Sequence, residues 1–140
     1  MRLYPILGAL LLVGACGGPG SLPIALTASP ASSPPDAMAC VKAKLDTLGY
    51  VPTSFDQTDL RLTARKVDNS INRPDPQYRR NIDRLEVQAT PSADGKTTLT
   101  VTGRTVAEYE THRGPTEQEE RASPSVRQTA QAVVDACGHS

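Results

Sequence analysis

Three cysteines are the side chains of this sequence best suited to chemistry. A thiolate is the strongest nucleophile among the common side chains, and a cysteine thiol is either modified in that form or oxidised to a disulfide. Cys16 follows the small residues Gly14 and Ala15 near the start of the chain, whereas Cys40 and Cys137 lie far apart in the rest of it. The placement predicts one role for the first cysteine and a shared role for the other two.

Residues 1–15 have the features of an export signal. Arg2 supplies one positive charge, and an apolar run over residues 6–13 follows it. This run is shorter than the roughly 20 apolar residues that cross a bilayer, and it ends in small residues, as a cleavage region does. A short buried helix is the alternative, but the Gly- and Pro-rich sequence after Cys16 disfavours it.

The sequence Val13-Gly14-Ala15-Cys16 resembles the lipobox of bacterial lipoproteins. The resemblance implies cleavage just before Cys16, a diacylglyceryl group on its sulfur and a further acyl chain on its amine. Two or more chains anchor a protein stably, at about 0.8 kcal/mol per buried methylene. Gly17 is not the Asp that in this class accompanies retention in the inner membrane, so the resemblance favours the outer membrane of a two-membrane host. The alternative is a plain secreted thiol at Cys16.

Cys40 and Cys137 are expected to form a disulfide. Export places the domain outside the reducing cytoplasm, where disulfides persist. Cys40 lies near the start of one predicted helix and Cys137 near the end of another, so antiparallel packing of the two helices would bring the sulfurs together. Two separate buried thiols are the alternative.

The sequence offers little else for catalysis or cofactor binding. His112 and His139 are the two histidines, and neither has metal-ligand spacing to a Cys, an Asp or the other His. Nucleophile-elbow and phosphate-binding glycine motifs are absent. We therefore expect no metal and no cofactor, and exposed histidines.

A cluster of basic residues with one tyrosine is the single candidate for an acidic partner or an anionic headgroup. Its members are Arg73, Tyr78, Arg79, Arg80 and Arg84. Asp75, Asp83 and Glu86 dilute its charge, so a solvated, salt-bridged strand is the alternative.

Composition limits the function classes further. Lys and Arg total 15 and Asp and Glu total 15, a balance that argues against a nucleic-acid partner. One Phe, four Tyr and no Trp are too few for an aromatic-lined ligand pocket.

The elements that position these residues begin after a linker. Residues 16–36 are rich in Gly, Pro, Ser and Ala and predict a flexible tether, although Leu22, Ile24 and Leu26 have the spacing of an edge strand. Residues 37–140 form the predicted domain. Its Leu, Ile, Val and Phe residues number only 18, so we expect a thin core that needs additional support.

Helices are expected at both ends of this domain. Apolar residues recur with helical spacing from Met38 to Leu48, before Gly49, and from Val126 to Cys137, after the capping pair Ser123-Pro124. Between them we expect short strands near residues 50–55 and 60–64, a loop over 68–77, and a hairpin of strands 85–89 and 99–109 that turns at Asp94-Gly95. In the second arm, Gly103 predicts a bulge or a close packing point.

This order predicts an α+β two-layer sandwich, with an antiparallel sheet of three to four strands and both helices on one face. We expect a non-enzymatic binding or structural lipoprotein, which would offer a sheet edge or a polar face to another envelope component. The alternative is a small ligand-binding or hydrolytic lipoprotein, which would need a concave site.

Overall fold

Six strands and two helices form an antiparallel α+β fold. A computed structural model describes residues 22–139 of the chain. Its elements are β1 (Ile24–Ala28), α1 (Pro34–Thr47), β2 (Val51–Asp56), β3 (Arg61–Asp68), β4 (Tyr78–Pro91), β5 (Thr97–Thr111), β6 (Gly114–Glu120) and α2 (Pro124–Cys137). The predicted fold class is confirmed, while the sheet has six strands rather than three to four.

Capping residues define both helices. The Ser33 side chain accepts a hydrogen bond from the backbone N–H of Asp36, and Pro34 follows this cap. Helix α1 therefore begins at Pro34, three residues before its first buried residue, Ala37. It ends before Gly49, whose φ of +78° suits glycine. Ser123 caps α2 in the same way, as the sequence predicted.

The strand order is β1-β5-β4-β3-β2, and β6 also pairs with β5. Because β4 occupies one side of β5, strands β1 and β6 lie end to end along the other side. Strand β1 pairs with residues 99–103 of β5 and β6 with residues 105–111.

The prediction of a linker over residues 16–36 is wrong for its second half. Residues 24–28 form β1, in which Leu26 is the register partner of Val101 in β5. The alternating apolar residues of β1 pack against the core, and this burial outweighs the flexibility that the composition suggested. The edge-strand alternative is therefore the correct one.

Strand β6 is not among the strands that the sequence predicted. Its residues are mostly exposed and it contains no alternating apolar residues, so the usual sign of a strand is missing. A turn at His112 and Arg113, followed by Gly114 with φ of +104°, sends the chain back along β5. Backbone pairing with β5 along its whole length holds β6 in place.

Both helices pack on one face of the sheet and against each other. Apolar residues of the helices and of the three central strands form the core, which includes Met38, Val41, Leu45, Leu62, Leu85, Val87, Leu99, Val101, Val126 and Val133. Gly103 lies in an uninterrupted ladder, and a Cβ there would be 3.1 Å from the Val126 side chain. Of its two predicted roles, Gly103 therefore has that of a close packing point.

Candidate functional site

The two cysteines of the domain form the predicted disulfide. Cys40 lies in α1 and Cys137 is the last residue of α2. Their sulfurs are bonded at 2.04 Å and their Cα atoms are 5.8 Å apart. The disulfide joins the two helices across 97 residues of sequence. Cys16 and the export signal lie outside the described residues.

The residues of the predicted basic cluster make contacts with other groups of the domain. Arg73 lies in the loop before β4 and donates hydrogen bonds at 2.5 and 2.6 Å to the two carboxylate oxygens of Glu120. It also donates to the Tyr109 hydroxyl at 3.2 Å, and its guanidinium lies 4.7 Å from the centre of the Tyr78 ring. These contacts fasten the loop to the end of the sheet.

The electrostatics of this contact match its geometry. Hydrogen bonds from Arg73 hold the pKa of the Glu120 carboxyl below its usual value. Both side chains are about a quarter exposed, at 28% and 26%. An arginine whose two terminal nitrogens both donate to one carboxylate has little capacity left to bind a second anion.

The other three arginines of the cluster lie in β4. Two of them form ion pairs with glutamates of β5 and β6, and the third donates to a nearby carbonyl. Arg80 forms an ion pair with Glu108 at 3.0 Å, and Arg84 binds Glu117 through two hydrogen bonds at 2.7 and 2.6 Å. Arg79 donates to the Pro76 carbonyl at 3.4 Å. The geometry thus matches the salt-bridged alternative. Glu108 and Glu117 are distant in sequence and give no local sign of these contacts.

A row of three arginines crosses the sheet face that carries no helix. Arg65, Arg84 and Arg104 are direct register partners on β3, β4 and β5. Gly103, which precedes Arg104 in β5, faces Val126 of α2. Because successive side chains of a strand point to opposite faces of the sheet, Arg104 points to the face without helices. Among residues 22–139, Arg65 and Arg104 have no ion-pair partner.

This arginine row borders a shallow depression of about 200 Å³, lined by Thr63, Arg84, Leu85, Glu86 and Arg104. Like charges directly opposite each other destabilise a sheet. Glu117 neutralises the central arginine and Glu86 adds a second acid. The depression therefore has mixed charge, and it is smaller than most small-molecule sites.

A second depression, which we call the edge groove, lies between α1 and the β2 edge. It has a volume of about 210 Å³ and is lined by Pro35, Met38, Ala39, Lys42, Phe55, Gln57 and Leu60. The Lys42 ammonium lies 3.3 Å from the centre of the Phe55 ring. The Phe55 side chain is still 39% exposed. The edge groove is thus mainly apolar, with one cation above its aromatic wall.

A buried carboxylate at the start of α2 has a structural role. Asp83 is 3% exposed and accepts hydrogen bonds from the Thr105 hydroxyl at 2.6 Å and the Ser123 hydroxyl at 2.9 Å. The Ser123 oxygen in turn accepts from the Val126 N–H. The network joins β4, β5 and the cap of α2, and the capping serine is the one member that its sequence position predicted.

Other chemistry finds little support in the described part of the chain. His112 lies in the β5–β6 turn and His139 after α2, and both are exposed. Residues 22–139 contain no group of three His, Cys, Asp or Glu side chains placed to hold a metal ion. In the same residues, no helix has the length and hydropathy needed to cross a membrane.

Comparison with known proteins adds no relative. No protein-family model and no curated protein sequence matches this chain.

Proposed function

We propose that the chain is a lipid-anchored protein of the bacterial cell envelope whose domain is a non-enzymatic binding module. Cys16 would carry the lipid, and the outer membrane would be its location in a host with two membranes. The observation that carries this proposal is the sequence Val13-Gly14-Ala15-Cys16 directly after a short apolar run. Alkylation of Cys16 would give the chain two or more acyl chains, enough for stable anchoring.

The Cys40–Cys137 disulfide supports export. Disulfides of this kind persist in oxidising compartments and are rare where thioredoxin and glutathione keep thiols reduced. The bond joins the two elements at opposite ends of the domain sequence. A chain that remained in the cytoplasm would be expected to lose this link.

The start of β1 limits how far the domain can extend from the membrane. Only residues 17–23 separate Cys16 from Ile24, the first residue of the sheet. Seven residues span roughly 25 Å at full extension. The proposed anchor would therefore hold the domain close to the lipid headgroups, at less than half the reach of a linker that ran to residue 36.

Two exposed surfaces support a binding role. One is the helix-free sheet face with its arginine row, and the other is the β2 edge with the adjoining edge groove. Both are shallow and open, which suits contact with a macromolecule better than enclosure of a small substrate. Strand addition to an exposed sheet edge is an established recognition mode.

Mass spectrometry of the chain purified from bacterial envelopes tests the anchor. We expect a mature protein that begins at Cys16 and has the added mass of a diacylglyceryl group and an amide-linked acyl chain. Cys16→Ser should abolish both cleavage and acylation, whereas the nearby Ser21→Ala should leave them unchanged. An unprocessed or unacylated wild-type chain would contradict the proposal.

A further inference from the structure

The edge strand β2 is fully exposed and carries little charge. All six of its residues are exposed, and it pairs on one side only, with β3. Edges are usually protected by charged side chains. Strand β6 has three glutamates and β1, which shares the other edge, has no charged residue, whereas the single charged residue of β2 is Asp56, at its end. The β2 edge is therefore less protected by charge than β6, and unlike β1 it has every residue exposed.

Exposed apolar side chains concentrate at this same edge. Among residues 22–139, the large exposed hydrophobic residues are Leu22, Val51 and Phe55, and two of these lie on β2. Phe55 also forms a wall of the edge groove. A free strand edge and an apolar depression thus lie side by side.

The turn that closes the edge groove contains the one non-glycine residue with positive φ in the described part of the chain. Leu60 has φ of +46°, a conformation that is unfavourable for a branched apolar residue. Its side chain is partly buried against the core and lines the edge groove. Strained residues of this kind are concentrated at binding and active sites.

We infer that the edge groove binds a short extended peptide with an apolar residue close to an acidic one. The peptide would pair with the β2 edge beside Phe55 and place its apolar side chain in the edge groove, against Ala39 and Leu60. Lys42 is the single charged residue that lines the edge groove, so the acidic residue would lie beside its ammonium. This inference rests on the proposed binding role and names the class of its partner.

The same strand disfavours a second copy of this chain as the occupant. Pro52 has no N–H to donate, and the register shifts between Pro52 and Ser54. Antiparallel pairing of two complete β2 strands would place the proline of one copy opposite Phe55 of the other, where a donor is needed. The proline and the bulge thus limit pairing to the part of β2 beside the edge groove, which suits a short peptide.

Selection from a displayed library of random heptapeptides tests the inference. The target is the full-length chain in detergent micelles, and fluorescence anisotropy then measures binding of one enriched synthetic peptide. We expect enriched peptides to combine an apolar residue with Asp or Glu one or two positions away. Hydrogen exchange should show protection of the backbone around Phe55 when this peptide binds.

Two variants locate the binding. Ala39 is exposed on α1 and lines the edge groove, so Ala39→Gln should fill the groove and weaken binding about tenfold or more. Ala43 is also exposed on α1 but does not line the edge groove, so Ala43→Gln is the matched control and should bind as the wild type does. Lys42→Glu should reverse the charge preference, enriching Lys and Arg in a new selection.

The outcomes separate this inference from the proposed anchor. Failure to enrich an apolar–acidic motif, binding that survives Ala39→Gln, or protection at the arginine row instead of Phe55 would each overturn it. Because the selection does not depend on acylation, an acylated chain that enriches no such peptide contradicts the peptide site alone. A chain that binds the peptide but is never acylated contradicts the anchor alone.

Discussion

The Tyr50 hydroxyl is buried in the core and has no hydrogen-bond partner among the described residues. Burial raises the pKa of this group to about 12. A buried polar group without a partner costs free energy, so removing it is neutral or stabilising. The aromatic ring, by contrast, fills space in the core.

Tyr50→Phe should therefore leave the free energy of unfolding unchanged or raise it by up to about 1 kcal/mol. Because the folded pKa of about 12 exceeds the ordinary 10.0, the unfolded chain loses this proton first. The wild type should consequently lose stability between these two pH values, and the variant should lose less. Urea titrations at neutral and alkaline pH measure both effects, and a large loss of stability at neutral pH would contradict the assignment.

Arg73 and Glu120 should make the stability of the domain sensitive to acid. The folded pKa of Glu120 lies below the ordinary 4.5, so the stabilisation is complete above that pH and is lost as pH falls below it. Arg73→Lys cannot keep the two-bond contact and should lower the free energy of unfolding by about 1 to 2 kcal/mol at neutral pH.

Urea unfolding of Arg73→Lys at about pH 7 and about pH 3 measures this contribution. The difference from the wild type should shrink as the pH falls, because protonation of the Glu120 carboxyl weakens its hydrogen bonds to Arg73. Arg79→Lys is the matched control, because Arg79 makes only one long hydrogen bond to a carbonyl. Equal losses of unfolding free energy in the two variants would show that the contact with Glu120 contributes no more to stability than the single hydrogen bond of Arg79.

At the scale of elements, the two helix caps look alike but have different surroundings. Ser33 caps α1 at an exposed position, where its side chain also donates to Asp36. Ser123 caps α2 and also donates to Asp83, a carboxylate buried in the sheet. Loss of the second cap therefore removes a hydrogen-bond donor to the buried Asp83 carboxylate as well as the acceptor for the Val126 N–H.

Ser123→Ala should lower the free energy of unfolding by roughly 2 to 3 kcal/mol, and Ser33→Ala by about 1 kcal/mol. The two variants are matched in chemistry and in position relative to a helix, so their difference reports the contribution of Asp83. Chemical denaturation followed by circular dichroism gives both values. Equal losses would mean that Asp83 is satisfied by Thr105 alone.

The same elements show what the sequence could predict. Helices are local, and their caps, apolar spacing and stop signals lie within one segment, as Ser123 and Gly49 illustrate. Strand β6 is held by backbone pairing with β5 and has few buried side chains, so its residues alone do not reveal it. Strand β1 does alternate, and this spacing made an edge strand the alternative, but the prolines and glycines around it favoured a linker.

The candidate surfaces depend on relationships that no single segment contains. The arginine row exists because the registers of three strands place Arg65, Arg84 and Arg104 opposite one another. The edge groove likewise needs α1 to pack beside β2. By contrast, the sequence predicted the disulfide because two terminal helices on one sheet face leave few arrangements open.

At the scale of the whole molecule, one apolar layer joins two helices to the sheet. The helices cover a single face, so the opposite face adds little to the main core. Many core positions are filled by Ala or Val rather than by larger side chains, which limits the apolar area that each residue buries. The disulfide that joins α1 to α2 is therefore expected to contribute a large share of the stability.

Replacement of both Cys40 and Cys137 by Ser should lower the free energy of unfolding by roughly 3 to 5 kcal/mol, since the closed loop spans 97 residues. Urea titration of wild type and double variant, with and without reductant, measures the effect. Reductant should bring the wild type to the stability of the variant and leave the variant unchanged. Equal stabilities without reductant, together with two reactive thiols in the denatured, unreduced domain, would contradict both the bond and its role.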